Sequence, residues 1–404
     1  MTAFGLTGEQ QDFAERVRQI AAGQLRPLAE AGTPGQVNRP LIKAMGDLGL
    51  LARLFPGLCD ASPLSREAAA LDLCLLREAL ATQSTEAETA LALQGLGSYP
   101  VLQSGQEEVV RRWLPAVAAG DAVAAFALTE PEAGSDAAAL TLRAERDGRE
   151  WRLTGEKIWI SNAPEADFYT VFARTTAGAG ARGVSAFVVP ADRPGLGGEH
   201  LDMIGPHPIG RLTFDGVPVR AAELLGEADR GFRVAMRTLD LFRPSVGAFA
   251  VGMAQAALDA AVAHAGSRTA FGGPLKDQQA VSHLLAEMAT RTEAARLLVY
   301  AAAAGYDASG GAGGAGSGAG GASGAGGASG VGGGKGLAAR SAMAKLFATE
   351  TAQFVVDAAV QIHGARALRR GHLLEHLYRE VRAPRIYEGA SEVQRTIIAR
   401  ELYR

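Results

Sequence analysis

The spacing of apolar residues divides the chain into three stretches, of which the first is helical. Three apolar residues recur at the three- or four-residue steps of an amphipathic helix: Phe13, Val17 and Ile20. Three later runs also have helical character: 41–51, 67–80 and 87–96. The last two runs are rich in alanine and leucine, so we expect them to be buried. This pattern predicts an N-terminal α-helical domain over residues 1–121.

The middle stretch changes to the two-residue period of β-strands. Apolar and polar residues alternate over 140–146 and 151–155, on either side of Asp147-Gly148, which predicts a β-hairpin. Three more strand-like runs follow: 169–173, 184–189 and 211–214. Short strands without long helices between them predict a small antiparallel barrel or sandwich, which we assign to residues 122–230.

Long helices are predicted again from residue 231 onward. One apolar stripe follows helical steps through Met236, Leu239, Phe242, Val246, Phe249 and Met253. Three further helices are predicted over about 279–304, 337–363 and 373–382. Helices of this length predict a four-helix bundle over residues 231–404, so the expected fold class is α+β with several domains.

A segment made almost entirely of glycine, alanine and serine interrupts this bundle at residues 309–336. It has almost nothing to bury and maximal backbone entropy to lose on folding. We therefore predict a flexible insertion that joins two helices and has no catalytic role.

Composition excludes several classes of protein. A net charge of −3 gives no reason to expect a nucleic-acid partner. Cys59 and Cys74 match no metal-ligand spacing and are too few for a disulfide framework. The N-terminus lacks the features of a signal peptide, and no apolar run reaches the roughly 18 residues of a membrane span. We expect a soluble, cytoplasmic protein without a bound metal.

The strongest candidate for chemistry is Glu388, which stands between Tyr387 and Gly389 at the start of a short helical run. One interpretation makes this tripeptide an ordinary turn at a helix boundary. The other makes Glu388 a general base, with Gly389 letting a substrate carbonyl approach the backbone.

Two further regions allow a structural or a functional interpretation. Residues 126–136 form a Pro/Gly/Ser-rich loop, typical of an ordinary loop but also suited to a flat polar heterocycle or a phosphate. Trp159 and Ser161 would share one face of a strand, where a tryptophan is more often core than a stacking surface. Glu88 lies inside an apolar run; most such charges lie at helix boundaries or solvated edges, but it is a minor candidate for lining a substrate site.

Several motifs resemble those of the FAD-dependent acyl-CoA dehydrogenase family, in the family's order and spacing. They are Thr129-Glu130-Pro131 with Gly134-Ser135-Asp136, Trp159-Ile160-Ser161-Asn162, Arg268 with Phe271-Gly272, Gln361-Ile362-His363-Gly364, and Tyr387-Glu388-Gly389. The resemblance covers nearly the whole chain, is weakest over the first 65 residues and is absent from the glycine-rich insertion. It implies a helical domain, a β-domain and a four-helix bundle, with FAD bound to each subunit of a homotetramer.

The resemblance also implies which residues contact the flavin. The isoalloxazine ring and ribityl chain would be lined by Phe126, Leu128, Thr129, Gly134, Ser135, Trp159, Ile160 and Ser161. The pyrophosphate and adenosine would be held across a dimer interface by Arg268, Phe271, Gln278, Gln279, Gln361 and Gly364. The pocket would be completed by Ala390, Ser391 and Glu392.

On the substrate side, the resemblance implies contacts with the acyl-CoA thioester from Ser135, Asp240, Arg243, Gly389 and Arg400. Without the resemblance, Arg243 and Arg268 would be interpreted as charges on helix surfaces.

The sequence departs from the family pattern at some of these positions. Gln278 replaces an aromatic residue, residues 365–370 replace a glycine-rich turn, and Phe126 stands where tyrosine is frequent. Phe242 occupies the position of the base in some relatives and cannot act as one, which leaves Glu388.

The implied reaction is the α,β-dehydrogenation of an acyl-CoA to the trans-2-enoyl-CoA. Glu388 would remove the α-proton, the β-hydrogen would leave as hydride to flavin N5, and the backbone N–H of Glu388 with a ribityl hydroxyl would stabilise the enolate. Electron-transfer flavoprotein is the expected acceptor. An acyl-CoA oxidase, a flavin monooxygenase or a non-catalytic flavin- or CoA-binding scaffold are the alternatives, and the acyl group is left open.

Overall fold

The protein, described here by a computed structural model over residues 5–58, 68–309 and 336–403, has the predicted α+β architecture. A helical region comes first, a sheet follows, and helices return after it. The helices of the first region are α1 (Gly8–Ile20), α2 (Arg26–Glu30), α3 (Arg39–Asp47), α4 (Ala70–Ala81), α5 (Thr85–Ser104) and α6 (Glu107–Ala118).

Side-chain caps fix where several of these helices begin. Thr7 forms a capping box with Gln10 at α1, and the Ser84 hydroxyl accepts the Ala87 N–H at α5. The apolar run predicted over 87–96 is therefore only the centre of α5, whose burial is as complete as its alanine and leucine content suggested.

The middle region is one eight-stranded sheet. Its strands are β1 (Ala124–Ala127), β2 (Arg143–Asp147), β3 (Glu150–Ser161), β4 (Phe168–Arg174), β5 (Val184–Pro190), β6 (Leu196–His200), β7 (Ile209–Arg220) and β8 (Leu224–Leu225). The order along the sheet is β6-β7-β3-β2-β4-β5-β8, with β1 beside β4. The predicted hairpin is β2–β3, where Gly148 takes a left-handed conformation (φ 60°).

The sheet is mixed, although we predicted an antiparallel one. β1 runs parallel to β4, and β2 meets β4 in parallel at Arg143 and Arg174. The β2–β3 hairpin intervenes in the chain between β1 and β4, and this connection is long enough to bring the two strands side by side in the same direction.

A bulge in β3 breaks the alternation on which the common face of Trp159 and Ser161 was predicted. The register with β7 shifts between Lys157 and Ile160, and Trp159 takes a left-handed backbone conformation (φ 60°). An extra residue at a bulge re-aims the side chains around it. Trp159 is 54% exposed as a result, whereas its neighbour Ile160 is buried.

The third region contains the long helices α7 (Gly231–Ser267), α8 (Gln279–Ala308) and α9 (Leu337–His363), followed by α10 (Leu373–Glu380) and α11 (Ser391–Leu402). A short ribbon of β9 (Thr269–Ala270) and β10 (Gly273–Pro274) separates α7 from α8. The predicted fourth helix is shorter than expected. The N-terminal helix α4 packs along α7 and α8 as well, and Arg296 of α8 bonds Glu78 of α4 at 2.8 Å.

Helix α7 is mostly apolar along its central part because other elements surround that part. Among the described residues it is the one helix long and apolar enough to span a membrane, but 67% of its most apolar window is buried inside the protein. This burial is typical of a central core helix. Apart from Ser309 and Gly336, the predicted insertion lies outside the described residues.

Candidate active site

Glu388 lies in a strained turn between a 3₁₀ turn at Ala383–Arg385 and helix α11. Its backbone is left-handed (φ 51°), as is that of Gly389 (φ 95°). A glutamate in this conformation costs about 1–3 kcal/mol, and such strain concentrates at functional sites. At Gly389 an added Cβ would lie 2.4 Å from the Gln394 side-chain nitrogen, so the turn requires glycine there.

Two buried side chains hold the carbonyl groups of this turn. Lys345 of α9 donates from Nζ to Gly389 O at 2.8 Å. Gln394 of α11 donates from Nε2 to the same oxygen at 2.9 Å and to Glu388 O at 3.2 Å. The Glu388 N–H makes no hydrogen bond with the described residues, so it is available to a bound carbonyl.

The Glu388 carboxylate is enclosed but incompletely satisfied. Its Oε2 atom is buried without a hydrogen-bond partner among the described residues. Burial raises the pKa of Glu388, and the cations Arg77, Lys345 and Arg243 act against this rise. A carboxylate that is short of hydrogen bonds and has a raised pKa is suited to accept a proton.

The neighbouring cations are themselves affected by burial. Burial lowers the pKa of Lys345 to about 8, with the Glu388 carboxylate opposing the change. Arg243 donates from Nη1 to Asp240 Oδ1 at 2.8 Å, and burial raises the pKa of Asp240 against the influence of that arginine. Arg243 is therefore a buried member of the site, and its interpretation as a surface charge is wrong.

Arg77 was missed by sequence reasoning, and Glu88 was weighed only as a minor candidate. Arg77 Nε bonds the fully buried Glu88 carboxylate, and Arg77 Nη1 donates to Ser245 Oγ of α7 at 2.7 Å. The solvated-edge interpretation of Glu88 is wrong, although it does lie in the first turn of α5. Charged residues within otherwise apolar runs were the available signal, both for Arg77 and for Lys345.

The loop after β1 is anchored by a buried carboxylate. Glu130 accepts from the backbone N–H groups of Thr141 (2.6 Å) and Leu142 (2.9 Å) and from Lys157 Nζ (2.8 Å). Lys157 also donates to Leu128 O at 2.9 Å, and the Ile158 N–H donates to Thr129 O at 3.1 Å. These bonds hold the loop against β3.

The predicted flavin contacts in this region lie together along the loop and β3, and they fit a flat polar heterocycle. The exposed Trp159 offers a ring face, and the side-chain hydroxyls of Thr129, Ser135 and Ser161 make no hydrogen bond with the described residues. An added Cβ at Gly134 would meet no atom within 4 Å. The remaining predicted contacts here are the half-buried Phe126 and the buried Leu128 and Ile160.

The predicted pyrophosphate and adenosine contacts lie at the ends of the long helices. The His264 and His363 rings stack at 4.1 Å and join the ends of α7 and α9. Arg268 is exposed just after α7, as its surface interpretation expected, and Phe271 is 93% exposed with a left-handed backbone (φ 53°). The other members of this group are Gln278, Gln279, Gln361 and Gly364.

The remaining predicted contacts lie on α11. Ala390 precedes its first residue, Ser391 bonds Glu350 at 2.6 Å, and Glu392 and Arg400 are exposed. Within residues 5–58, 68–309 and 336–403, no hydrogen bond connects the predicted contacts on the loop and β3 with those at the ends of the long helices. None connects either set with Glu388. In the same ranges, no three His, Cys, Asp or Glu side chains cluster to hold a metal.

Fold and site together define a protein with a desolvated carboxylate in a helical region and an exposed tryptophan ring beside unbonded hydroxyls on a sheet. Sequence profiles of the acyl-CoA dehydrogenase N-terminal, middle and C-terminal domains match residues 7–121, 125–217 and 229–403. The chain therefore belongs to the acyl-CoA dehydrogenase family. Membership supports FAD-linked dehydrogenation of acyl-CoA thioesters in general.

Individual relatives are similar to this chain in sequence or structure over nearly the full length of both proteins. The chain is 33% identical over 403 residues to cyclohexane-1-carbonyl-CoA dehydrogenase of Geobacter metallireducens, covering 99% of this chain and 98% of that one. The structure of butyryl-CoA dehydrogenase from Megasphaera elsdenii superposes with a TM-score of 0.86 at 31% identity, over 100% of both chains. A glutaryl-CoA dehydrogenase from Mycobacterium smegmatis in complex with FADH2 gives 0.84 at 26% identity, over 98% of this chain and 95% of that one.

Proposed function

We propose that the protein catalyses the FAD-dependent α,β-dehydrogenation of an acyl-CoA thioester, with Glu388 as the base that removes the α-proton. The observation that carries this proposal is the Glu388 carboxylate itself, whose Oε2 is buried without a partner in a left-handed turn. Helix-boundary glutamates that only support structure have no need of this strain and this missing hydrogen bond.

The charges around Glu388 support the first step. When Glu388 accepts a proton, its negative charge disappears while negative charge grows on the thioester oxygen. Arg77, Lys345 and Arg243 stay in place, and their combined positive charge then favours the enolate. The free N–H of Glu388 is a donor that could bind the same oxygen.

FAD, when bound, supplies the acceptor for the hydride that leaves the β-carbon. This chain would bind its ring with Trp159 and the hydroxyls of Thr129 and Ser161, and its pyrophosphate with Arg268 and Gln361. Each of these side chains has polar atoms or a ring face that the described residues leave unused. The protein's part in the redox step is therefore binding and orientation.

The proposal extends to the partners and the location. Further copies of the chain would cover large apolar side chains that are exposed in the single chain, namely Phe271, Leu368 and Tyr403. We propose a homotetramer in the cytoplasm that binds neither membrane nor nucleic acid and passes electrons to an electron-transfer flavoprotein.

The proposal is tested by mixing the purified holoenzyme anaerobically with a panel of acyl-CoAs and following the visible absorbance of the flavin. We expect at least one acyl-CoA of the panel to bleach it, with formation of the corresponding enoyl-CoA. Peroxide release in air with an unchanged enoyl product would instead identify an oxidase, and an oxygenated product would identify a monooxygenase. Acyl-CoA binding without bleaching would identify a non-catalytic scaffold.

A further inference from the structure

The turn that carries Glu388 is held against helix α9 by one carboxylate. Glu350 of α9 pairs with Arg385 through a contact of 2.9 Å between Oε2 and Nη2, and its Oε1 accepts from Ser391 Oγ at 2.6 Å. Arg385 lies three residues before Glu388, and Ser391 lies three residues after it. Both ends of the turn are therefore held by the two oxygens of a single side chain.

Glu350 is the sole side-chain partner of both ends within the described residues. The Arg385 guanidinium makes no other ion pair or hydrogen bond there, and its Nε is buried without a partner. The Ser391 hydroxyl bonds nothing else in the same part of the chain, and Ser391 is 4% exposed. Loss of Glu350 would thus release both ends together.

The turn between these ends is strained. Glu388 and Gly389 are both left-handed (φ 51° and 95°), and strain of this kind persists only where the surrounding structure enforces it. Lys345 and Gln394 bond the carbonyl groups in the middle of the turn. Glu350 adds the restraint at its two ends.

The Glu350 contacts lie too close to solvent to act mainly as a source of stability. The side chains of Glu350 and Arg385 are each 31% exposed, and ion pairs open to solvent contribute little to the free energy of unfolding. Burial acts to raise the pKa of Glu350, but the Ser391 hydroxyl and Arg385 outweigh it and hold the pKa below its usual value. The carboxylate is therefore ionised at neutral pH and able to make both bonds.

We propose that Glu350 is a positioning residue for the reaction, because it holds both ends of the turn against α9 and so fixes where the Glu388 carboxylate meets the α-carbon of the substrate. This role rests on the proposed function, in which Glu388 is the base. A misplacement of about 1 Å can slow a reaction by about 100-fold. Loss of Glu350 should therefore slow proton removal far more than it destabilises the protein.

The test separates the chemical step from binding in the purified holoenzyme. In Glu350→Ala, we expect flavin reduction at saturating acyl-CoA to slow by about 10- to 100-fold. The acyl-CoA dissociation constant, the FAD content and the free energy of unfolding should stay close to those of wild type, because the orientation of the base affects the chemical step alone. A rate within a few-fold of wild type would overturn the proposal, and so would a loss of FAD or stability that accounts for a slower rate.

Glu287→Ala is the matched control. Glu287 also pairs with an arginine at a partly exposed position, at 2.6 Å from Arg291, but this pair lies within α8. Its flavin reduction should equal that of wild type. Arg385→Met and Ser391→Ala each remove one of the two bonds of Glu350, and each should give part of the loss. Wild-type rates in the double variant of Arg385 and Ser391 would overturn the proposal.

Hydrogen exchange separates this proposal from the proposed function. In the holoenzyme without substrate, the amides of residues 385–394 should exchange faster in Glu350→Ala than in wild type or Glu287→Ala. If no acyl-CoA bleaches the wild-type flavin, the proposed function fails, and this comparison still decides whether Glu350 holds the turn. Equal exchange in all three proteins would overturn the proposal. If Glu350→Ala does not fold, the double variant of Arg385 and Ser391 provides the same comparison.

Discussion

Two glutamates, the buried Glu130 and the half-buried Glu388, each lie near a buried lysine and behave in opposite ways. In the sheet region Glu130 accepts hydrogen bonds from Lys157 and from the backbone N–H groups of Thr141 and Leu142. Burial acts to raise the pKa of Glu130, but Lys157 and these bonds hold it below its usual value. Burial lowers the pKa of Lys157 to about 8.

Near the C-terminus, Lys345 resembles Lys157 in the direction of its pKa shift, but Glu388 differs from Glu130. Burial lowers the pKa of Lys345 to about 8 as well, but its ammonium group bonds the carbonyl of Gly389 and leaves the Glu388 carboxylate with an unpaired oxygen. Burial consequently raises the pKa of Glu388. The charge of a directly bonded lysine and the backbone hydrogen bonds offset burial at Glu130, whereas burial outweighs the neighbouring cations at Glu388.

The largest effect is expected on the rate of flavin reduction when Glu388, the carboxylate that can take a proton, is replaced. Glu388→Gln keeps the shape and removes the basic lone pair, so flavin reduction by acyl-CoA should fall by about 10²–10⁴-fold. Stopped-flow absorbance measures this rate, and exchange of the substrate α-hydrogen with solvent should fall with it. In the wild type, the rate should decrease as the pH falls through the raised pKa of Glu388.

Glu130→Gln is the matched control for Glu388→Gln. The FAD content of the Glu130→Gln variant should be measured before its rate of flavin reduction. Flavin reduction within a few-fold of wild type in Glu388→Gln would contradict the prediction. Glu88 would then be the next residue to replace.

The second prediction concerns Glu130, the carboxylate that holds the loop, and its contribution to the free energy of unfolding. Glu130→Gln leaves the Lys157 ammonium buried without its counter-charge, so the free energy of unfolding should fall by about 3–5 kcal/mol. Denaturant titration measures the change. Glu388→Gln should cause no such loss, because Oε2 of Glu388 makes no hydrogen bond to lose. Equal losses in the two variants would show that both carboxylates are structural.

A third and smaller effect is expected at the turn that carries the base. Gly389→Ala forces a left-handed alanine, at a cost of about 1–2 kcal/mol, and displaces the Gln394 amide that lies 2.4 Å from the new Cβ. Misplacement of Glu388 should slow flavin reduction on the order of tenfold. Gly134→Ala, where the new Cβ meets nothing within 4 Å, should leave the free energy of unfolding nearly unchanged. A Gly389→Ala variant as stable as wild type would contradict this account of the turn.

The smallest expected effect is the pH dependence of stability, and its sign differs between the two carboxylates. The lowered pKa of Glu130 contributes stability that is present above its unfolded pKa and is lost as the pH falls through the folded value. The raised pKa of Glu388 gives the opposite sign, with stability lost as the pH rises through the folded value.

Denaturant titrations of wild type, Glu130→Gln and Glu388→Gln from neutral pH to below the unfolded pKa of glutamate measure how each carboxylate changes the free energy of unfolding with pH. Glu388→Gln should be more stable than wild type near neutral pH, and this advantage should vanish below the unfolded pKa of glutamate. If the difference in free energy of unfolding between variant and wild type changed with pH in the same direction for both variants, the comparison would be contradicted.

The sequence by itself determined the α+β class, the β2–β3 hairpin and the long helices, because these follow from local periodicity and from turn residues such as Gly148. It also determined that Glu388 and Gly389 belong together, since one motif contains both. The family of the protein could be identified from motifs whose order and spacing are properties of the chain alone.

Tertiary structure alone decided what surrounds Glu388. Arg77, Lys345 and Arg243 come from three helices far apart in the sequence, and no local pattern states that they act on one carboxylate. The parallel pairing of β1 with β4 and the bulge that exposes Trp159 likewise depend on neighbouring strands. Burial and unpaired hydrogen-bonding atoms are properties of the packed whole, and a residue's pKa depends on the distances that packing sets.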